Sequence, residues 1–237
     1  MNDETARHDR ICAPLFATLQ PGQLGAIAAR AGVGKSTCLV CIALDELIRG
    51  EQVLHVSLDT PVDHVRASYD ATIDALRDRD PASMPSSLRL EIERRRVIHS
   101  FLGGAFVPAK LREAFGFLAE NMDFRPSTVV VDAFPFSSAP AGHVPELRSI
   151  VGDVGARLWM SALTSRSEGL DATTGLPESL SSLDEHLGVV VRMVPQGDEV
   201  SLQLLKHGDE RVPRQLPDVL DPTTMLFVRG GKPTDKG

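Results

Sequence analysis

Short runs of Val, Ile and Leu alternate along this chain with longer segments of helical periodicity, and this alternation limits its fold more than any other feature. Such an order is typical of βα units, in which consecutive strands lie parallel in one sheet and helices cover it. The apolar character of the strands predicts that both of their faces are buried. The predicted strands are Leu24–Ala28, Val53–Leu58, Val97–Leu102, Thr128–Asp132 and Arg157–Leu163, and the predicted helices are Lys35–Arg49, Val62–Arg79, Pro108–Asn121 and Val144–Val154.

The pattern changes after residue 186, where apolar runs are separated by polar, turn-rich stretches too short to hold a crossover helix. Antiparallel strands that extend one edge of the sheet fit this pattern. We predict an α/β fold in which one domain spans residues 21–229, preceded by an N-terminal segment (1–20) and followed by a flexible tail (230–237). The predicted C-terminal strands are Leu187–Val194, Val200–Lys206 and Met225–Arg229, and the segments predicted to be loose are Asp80–Ser87 and Ser165–Ser182.

Composition restricts the partners and the compartment. The 25 Lys and Arg residues against 32 Asp and Glu residues give a net charge of −7, which argues against a surface built throughout to bind polyanions. Three cysteines form no disulfide framework, and the polar N-terminus is followed by no apolar run long enough to act as a signal or a membrane span. We therefore expect a cytoplasmic protein.

Cys38 and Cys41 lie one helical turn apart without further metal ligands, which favours packing in the core.

The strongest functional motif follows the first predicted strand and opens the first predicted helix. The residues from Ala29 to Thr37 read ARAGVGKST, which matches GxxxxGK[ST] except that Ala29 replaces the first glycine. Small residues let backbone N–H groups surround a phosphate, Lys35 supplies a charge for the terminal phosphates, and the Ser36 hydroxyl is a ligand for Mg²⁺. The positive end of the helix favours the same anion. We predict that Ala31, Gly32, Val33, Gly34, Lys35, Ser36 and Thr37 bind the phosphates of ATP.

Two further strands end in carboxylates. Asp132 closes the apolar run Val129–Val131, the pattern expected of the acid that holds Mg²⁺ beside a phosphate loop. Asp59 follows the strand that begins at Val53 and can orient or deprotonate the attacking water. The alternative for Asp59 is the N-cap of the helix that begins near Pro61.

The segment from Gly22 to Asp59 resembles the ATPase core of the RecA superfamily, in the branch of DnaB-type helicases, RepA-like helicases and KaiC-like ATPases. These families share a phosphate loop with alanine in first position and a second strand that ends in a "SLE" or "SFE" carboxylate, where this chain has Ser57, Leu58 and Asp59. The resemblance implies a RecA-like fold that covers most of the chain, an oligomer in the form of a ring or filament, and a water-activating role for Asp59.

Two downstream segments carry further implications of this resemblance. The stretch from Trp159 to Arg166 is similar to the strand that senses the γ-phosphate; Ala162 stands at the usual glutamine, and Thr164 is the nearest polar substitute. Lys206 matches the lysine of the family's "KxR" strand end, which reaches the neighbouring subunit's site, and Arg211 is a substitute for its arginine. The alternative for Lys206 is a solvated residue at a strand end.

The charge of one loop disfavours binding to nucleic acid. In the related helicases, the loop after the γ-phosphate-sensing strand contacts single-stranded nucleic acid. In this chain it carries five carboxylates against Arg166 alone, and phosphate neutralisation supplies most nonspecific affinity. A cluster of four arginines before the third strand is interleaved with glutamates, which is typical of a solvated helix end. We therefore expect a Mg²⁺-dependent ATPase coupled to assembly or to a partner protein, with a nucleotide-gated module of little hydrolysis or a small hexameric DNA helicase as the alternatives. The carboxylates are Glu168, Asp171, Glu178, Asp184 and Glu185, and the arginines are Arg89, Arg94, Arg95 and Arg96.

Overall fold

The computed structural model of the protein describes residues 19–82, 84–211 and 213–230. The predicted N-terminal segment, residues 1–20, lies outside this part except for Leu19 and Gln20, and the predicted tail lies outside it except for Gly230. None of the helices in the described ranges is long and apolar enough to cross a membrane.

The described residues form an α/β fold around one sheet of nine strands in the order β3-β2-β4-β5-β1-β6-β7-β8-β9. The first six strands of this order are parallel to their neighbours, and β7, β8 and β9 continue the sheet in antiparallel hairpins. The mostly parallel sheet and the antiparallel C-terminal extension are therefore confirmed. The strands are β1 (Leu24–Ala29), β2 (Val53–Ser57), β3 (Arg96–Ser100), β4 (Thr128–Asp132), β5 (Arg157–Leu163), β6 (Leu187–Gln196), β7 (Glu199–His207), β8 (Arg214–Asp221) and β9 (Leu226–Arg229).

Helices cover both faces of the parallel part of the sheet. One apolar core forms where the first three helices pack on the sheet, and a second forms on the opposite face under the fourth and fifth helices. This arrangement explains why β1, β2 and β4 are buried along their whole length. The helices in the described residues are α1 (Lys35–Ile48), α2 (Val62–Arg79), α3 (Ser86–Arg94), α4 (Pro108–Met122), α5 (His143–Val154) and the short α6 (Glu178–Ser181).

One glycine of β1 makes room for the largest side chain of the core. A Cβ atom at Gly25 would lie 2.5 Å from Cε3 of Trp159, the residue that pairs with Gly25 on β5. The indole is buried, with 1% of its surface exposed, so it has no space into which to move. Glycine at position 25 thus lets β1 and β5 lie side by side with Trp159 against α1.

The structure corrects the sequence predictions at β3, α3, β8 and β6. The strand predicted at Val97–Leu102 is β3, which lies at the edge of the sheet and is half-buried along its length, so the prediction of two buried faces is wrong there. Helix α3 and strand β8 occupy segments for which no element was predicted. The first of the three predicted C-terminal strands, β6, runs parallel to β1, so the antiparallel extension begins at β7.

Candidate nucleotide-binding site

The loop between β1 and α1 needs glycine at two positions. Gly32 and Gly34 have φ angles of +76° and +99°, the left-handed region that glycine enters without steric cost. A Cβ atom at Gly34 would also lie 2.6 Å from Cδ2 of Leu220 on β8, so strand and loop are in direct contact. Val33 points into the core and anchors the loop. Of the other predicted phosphate-binding residues, Ala31, Gly32 and Ser36 are exposed, and Thr37 is half-buried.

Lys35 is the first residue of α1, and its ammonium interacts with two carboxylates that follow two different strands. Its Nζ donates a hydrogen bond of 2.9 Å to the carbonyl oxygen of Arg30 within the loop. Partial burial lowers the pKa of the Lys35 ammonium, while the nearby carboxylates of Asp132 and Asp59 raise it and offset part of this effect. The fold thus brings the predicted phosphate-binding lysine and both predicted carboxylates to one electrostatic cluster.

Asp132 ends β4 and is nearly buried, with 7% of its surface exposed. Its Oδ1 accepts a hydrogen bond of 2.6 Å from the hydroxyl of Ser161 on β5 and one of 3.0 Å from the backbone N–H of Ala133. The same N–H lies 2.8 Å from Ser161 Oγ. Ala133 has a φ angle of +61°, which is uncommon for a residue with a Cβ atom, and this turn brings its N–H to both acceptors. The carboxylate is therefore held in one orientation.

Asp59 lies two residues beyond the end of β2 and is exposed. The Thr60 hydroxyl donates a 2.9 Å hydrogen bond to Asp59 Oδ1, and the Thr60 backbone N–H donates one of 3.0 Å to Ser57 Oγ. Helix α2 has Pro61 at its N-cap position, and no side chain caps it. The alternative interpretation of Asp59 as the helix cap is therefore wrong, and its carboxylate faces solvent at the edge of the sheet where Asp132 also lies.

A cavity of about 650 Å³ lies beside the phosphate loop. The loop residues Arg30, Ala31 and Val33 form one of its walls, and the end of β5 with the loop that follows forms another. Thr164, the predicted sensor, lines this cavity, and its backbone N–H donates a 3.0 Å hydrogen bond to Ala29 at the end of β1. Thr164 therefore lies next to the phosphate loop. Ala162 is buried in the core under α4 and α5, on the face of the sheet opposite α1.

Lys206 and Arg211, the two cations predicted to reach a neighbouring subunit, converge on Asp184 of the same chain. The Lys206 ammonium is 5% exposed and lies 2.6 Å from Asp184 Oδ1. Arg211 is more exposed; its Nε lies 3.1 Å from Asp184 Oδ2, and its terminal NH2 group contacts the same oxygen. Burial raises the pKa of the Asp184 carboxyl, but hydrogen bonds from Arg211 and Lys206 outweigh this and hold it below its usual value. The interpretation of Lys206 as a solvated residue is wrong.

The acidic loop that follows β5, which carries Glu168 and Asp171, is held together by its own carboxylates. Glu168 accepts hydrogen bonds from the backbone N–H of Ser165 and from the N–H and hydroxyl of Ser179, which close the loop at its base. Asp171 accepts hydrogen bonds from Thr173 and Thr174 and forms a tight turn. These carboxylates organise the loop, and their charges still oppose phosphate binding.

The arginine cluster near α3 is largely engaged in intramolecular contacts. Arg89 bridges Asp70 and Asp74 of α2, and Arg95 pairs with Glu91. Arg96 lies over the ring of Tyr69, 4.3 Å from its centroid. Arg94 is exposed. The cluster therefore ties α2 and α3 to the edge of the sheet.

Two buried groups near the site have structural roles. Cys38 and Cys41 are unpaired and buried within the core beneath α1, as predicted. His55 on β2 is 1% exposed and lies 3.0 Å from the Tyr69 hydroxyl. Burial lowers the pKa of His55 to about 4, although Asp132 raises it, so the imidazole is neutral at pH 7 and adds no positive charge behind Asp132.

The oxygen donors at the site fit Mg²⁺ better than a transition metal. Mg²⁺ is commonly held by one or two carboxylates together with substrate phosphates. Asp132 and the Ser36 hydroxyl, the predicted metal ligands, are oxygen donors of the kind that Mg²⁺ takes. The described residues contain no group of three or more His, Cys, Asp and Glu side chains placed to bind a metal by themselves.

Comparison with models of known protein families and with curated proteins finds no match to this chain.

The lysine and both carboxylates of this cluster were predicted from the sequence, whereas Ser161 was not. Its signal was a single hydroxyl within the otherwise apolar run Trp159–Leu163, which has no meaning until the register of β4 and β5 is known. Position 162, where the resembling families usually have glutamine, places its side chain in the core on the face of the sheet opposite α1.

Proposed function

We propose that this protein binds and hydrolyses ATP in a Mg²⁺-dependent reaction at the loop between β1 and α1. The observation that carries the proposal is the cluster of Lys35, Asp132 and Asp59, whose charges interact at one edge of the sheet. A glycine-rich turn with a chance lysine would not require two carboxylates that follow separate strands to interact electrostatically with that lysine.

Each residue has a distinct role in this proposal. The backbone N–H groups of residues 31–37 and the positive end of α1 bind the phosphates, and Lys35 neutralises the charge that develops on the terminal phosphate. Ser36 and Asp132 hold Mg²⁺, which neutralises phosphate charge when bound. Asp59 is exposed to solvent and orients the attacking water. Thr164 contacts the loop through its backbone and responds to the state of the terminal phosphate.

We further propose that the domain over residues 21–229 is a RecA-like core of the DnaB and KaiC-like branch. The support is the order of the parts along the chain: phosphate loop, carboxylate after β2, carboxylate at the end of β4, and hydroxyls at the end of β5. All of them follow the carboxyl ends of parallel strands, where ligands of α/β sheets bind. The resemblance of the segment from Gly22 to Asp59 to that branch also supports this proposal.

Nucleotide binding tests the proposal directly. In calorimetric titrations with Mg²⁺, ATP and ADP should bind more tightly than AMP by at least about 10-fold for each phosphate that contacts the loop, because charge-assisted hydrogen bonds are each worth about 1.5–3 kcal/mol. Phosphate release should depend on Mg²⁺ and stop when the metal is chelated. Equal affinity for ATP and AMP, or no binding of either, would contradict the proposal.

A second candidate is a nucleotide-gated assembly module with slow hydrolysis. The pairing of both Lys206 and Arg211 with Asp184 favours it, because these cations are committed within the chain and reach a neighbour only if Asp184 releases them. A device of this kind couples assembly to a rearrangement rather than to rapid turnover.

The mass of the protein in solution distinguishes the two candidates. For the assembly module we expect Mg·ATP to increase the mass measured by light scattering at least to that of a dimer, while phosphate release stays slow. The Lys35→Ala variant is the matched control, since it should not respond to the nucleotide. A monomer with and without Mg·ATP would exclude the assembly role and the contribution of Lys206 to a neighbouring site.

A further inference from the structure

Ser161 and Asp132 lie side by side on adjacent parallel strands. In the register of β4 and β5, Val130 pairs with Trp159, which places residues 132 and 161 two positions further along on the same face of the sheet. Ser161 is fully buried, with 0% of its surface exposed. A lone hydroxyl at such a position is unfavourable unless it is hydrogen-bonded, and here both its donor and its acceptor capacity are used.

The hydrogen bonds form a closed triangle. Ser161 Oγ donates to Asp132 Oδ1 at 2.6 Å, and the Ala133 N–H lies 2.8 Å from Ser161 Oγ and 3.0 Å from Asp132 Oδ1. The short O–H···O distance is that of a charge-assisted bond to an ionised carboxylate. Within the described residues, no donor is bonded to Asp132 Oδ2. The triangle therefore fixes the side chain through one oxygen and leaves the other for a ligand.

We propose that Ser161 is a positioning residue that orients Asp132 toward Mg²⁺. This inference rests on the proposed function, because it assigns the geometry of the carboxylate to the binding of the metal with ATP. Partners that hydrogen-bond metal-ligating side chains fix their orientation, and their removal typically lowers metal affinity by about 10–100-fold. A hydroxyl that served only the stability of the sheet would leave metal affinity unchanged.

The inference is tested by Mn²⁺ titration in the presence of a non-hydrolysable ATP analogue, with free Mn²⁺ measured by electron paramagnetic resonance. We expect Ser161→Ala to weaken Mn²⁺ binding about 10-fold or more. Ser161→Thr keeps the hydroxyl and should bind Mn²⁺ nearly as the wild type does. Ser201→Ala is the matched control, because Ser201 is also a buried strand serine, with its hydroxyl bonded to Val194 O at 3.1 Å.

A second measurement needs no nucleotide. Hydrogen exchange of the Ala133 amide should be faster in Ser161→Ala than in the wild type, since one of its two acceptors is removed, and this checks the triangle itself. If Ser161→Ala does not fold, Ser161→Cys leaves no cavity, replaces the hydroxyl by a weak donor and should also lose Mn²⁺ affinity.

The outcomes separate the two proposals. If the wild type binds the analogue and Mn²⁺, and Ser161→Ala binds Mn²⁺ equally well, the positioning role is overturned while the proposed function stands. If the wild type binds no analogue with or without the metal, the proposed function is overturned and the role of Ser161 in it falls as well. A loss of affinity in Ser161→Ala that Ser161→Thr restores supports both.

Discussion

Replacing Lys35 by alanine should lower the rate of ATP hydrolysis by about 100-fold or more, the cost of removing one donor that stabilises charge in a transition state. Lys35 is half-buried at the start of α1, where its ammonium interacts with both Asp132 and Asp59. The Lys35 Nζ is held within the loop by its hydrogen bond to Arg30 O.

The physical reason for this large effect is the surplus of negative charge at the site. In the proposed function, the triphosphate of ATP would approach two carboxylates, and Lys35 together with Mg²⁺ and the backbone N–H groups would offset their repulsion. Without the lysine, the loss should appear in both the rate and the affinity for ATP. The measurement is steady-state phosphate release over a range of ATP concentrations.

A lysine on another helix, far from the proposed site in the chain, provides the control. Lys110 on α4 pairs with Glu113 at 2.9 Å and is 46% exposed at its side chain, so Lys110→Ala should hydrolyse ATP as the wild type does. Thermal unfolding of both variants shows whether each is folded. Undiminished hydrolysis by folded Lys35→Ala would refute the assignment of the site to this loop.

The loop, α1 and the strand that carries Asp132 were predictable because each has a strong local signal. The strand β4 is a continuous apolar run that ends in a carboxylate, and its predicted bounds agree with the observed ones. The helix α1 starts at Lys35 as predicted, since Gly34 adopts a left-handed conformation that no helix interior allows. That Asp132 and Asp59 lie at the same edge of the sheet as Lys35 followed from a rule of topology, namely that parallel strands present their carboxyl ends at one edge.

The parts that were not predicted depend on packing between distant segments. Helix α3 buries only Ile92 completely, so its sequence reads as a charge run rather than as an amphipathic helix. Strand β8 contains Pro217, which local rules place outside central strands, yet it is accommodated between β7 and β9 near the end of the sheet. The pairing of Ser161 with Asp132 is a consequence of register across 29 residues of chain, which no local pattern encodes.

Replacing Asp184 by asparagine should lower the free energy of unfolding by about 3 kcal/mol, the cost of leaving a buried charge without its partner. The Lys206 side chain is 5% exposed, and within the described residues its ammonium donates hydrogen bonds to the carboxylate and the backbone carbonyl of Asp184. Asparagine keeps the shape of the side chain but not its charge, so Lys206 would remain buried with only neutral acceptors. Urea unfolding at pH 7 measures the difference.

Two further variants separate the buried charge from the exposed one. Arg211 contacts the same carboxylate from a side chain that is 40% exposed, so Arg211→Ala should change the unfolding midpoint far less than Asp184→Asn does. In the double variant Asp184→Asn with Lys206→Met, both charges of the buried pair are absent, and most of the lost stability should return. Equal effects of Asp184→Asn and Arg211→Ala would show that burial of Lys206 does not set the cost.

The acid limb of the stability curve gives an independent check on Asp184. Burial raises the pKa of its carboxyl, but the hydrogen bonds from Arg211 and Lys206 prevail and hold this pKa below its ordinary value of 3.8. Because the folded-state pKa is the lower one, the stabilisation is fully present above pH 3.8 and is lost as the pH falls through the folded-state value. Between pH 4 and pH 2, about the range of carboxyl titration, the wild type should lose stability more steeply than Asp184→Asn. Parallel curves for the two proteins would mean that Lys206 is stabilised by the carbonyl of residue 184 alone, and that the carboxylate does not hold the two cations in place.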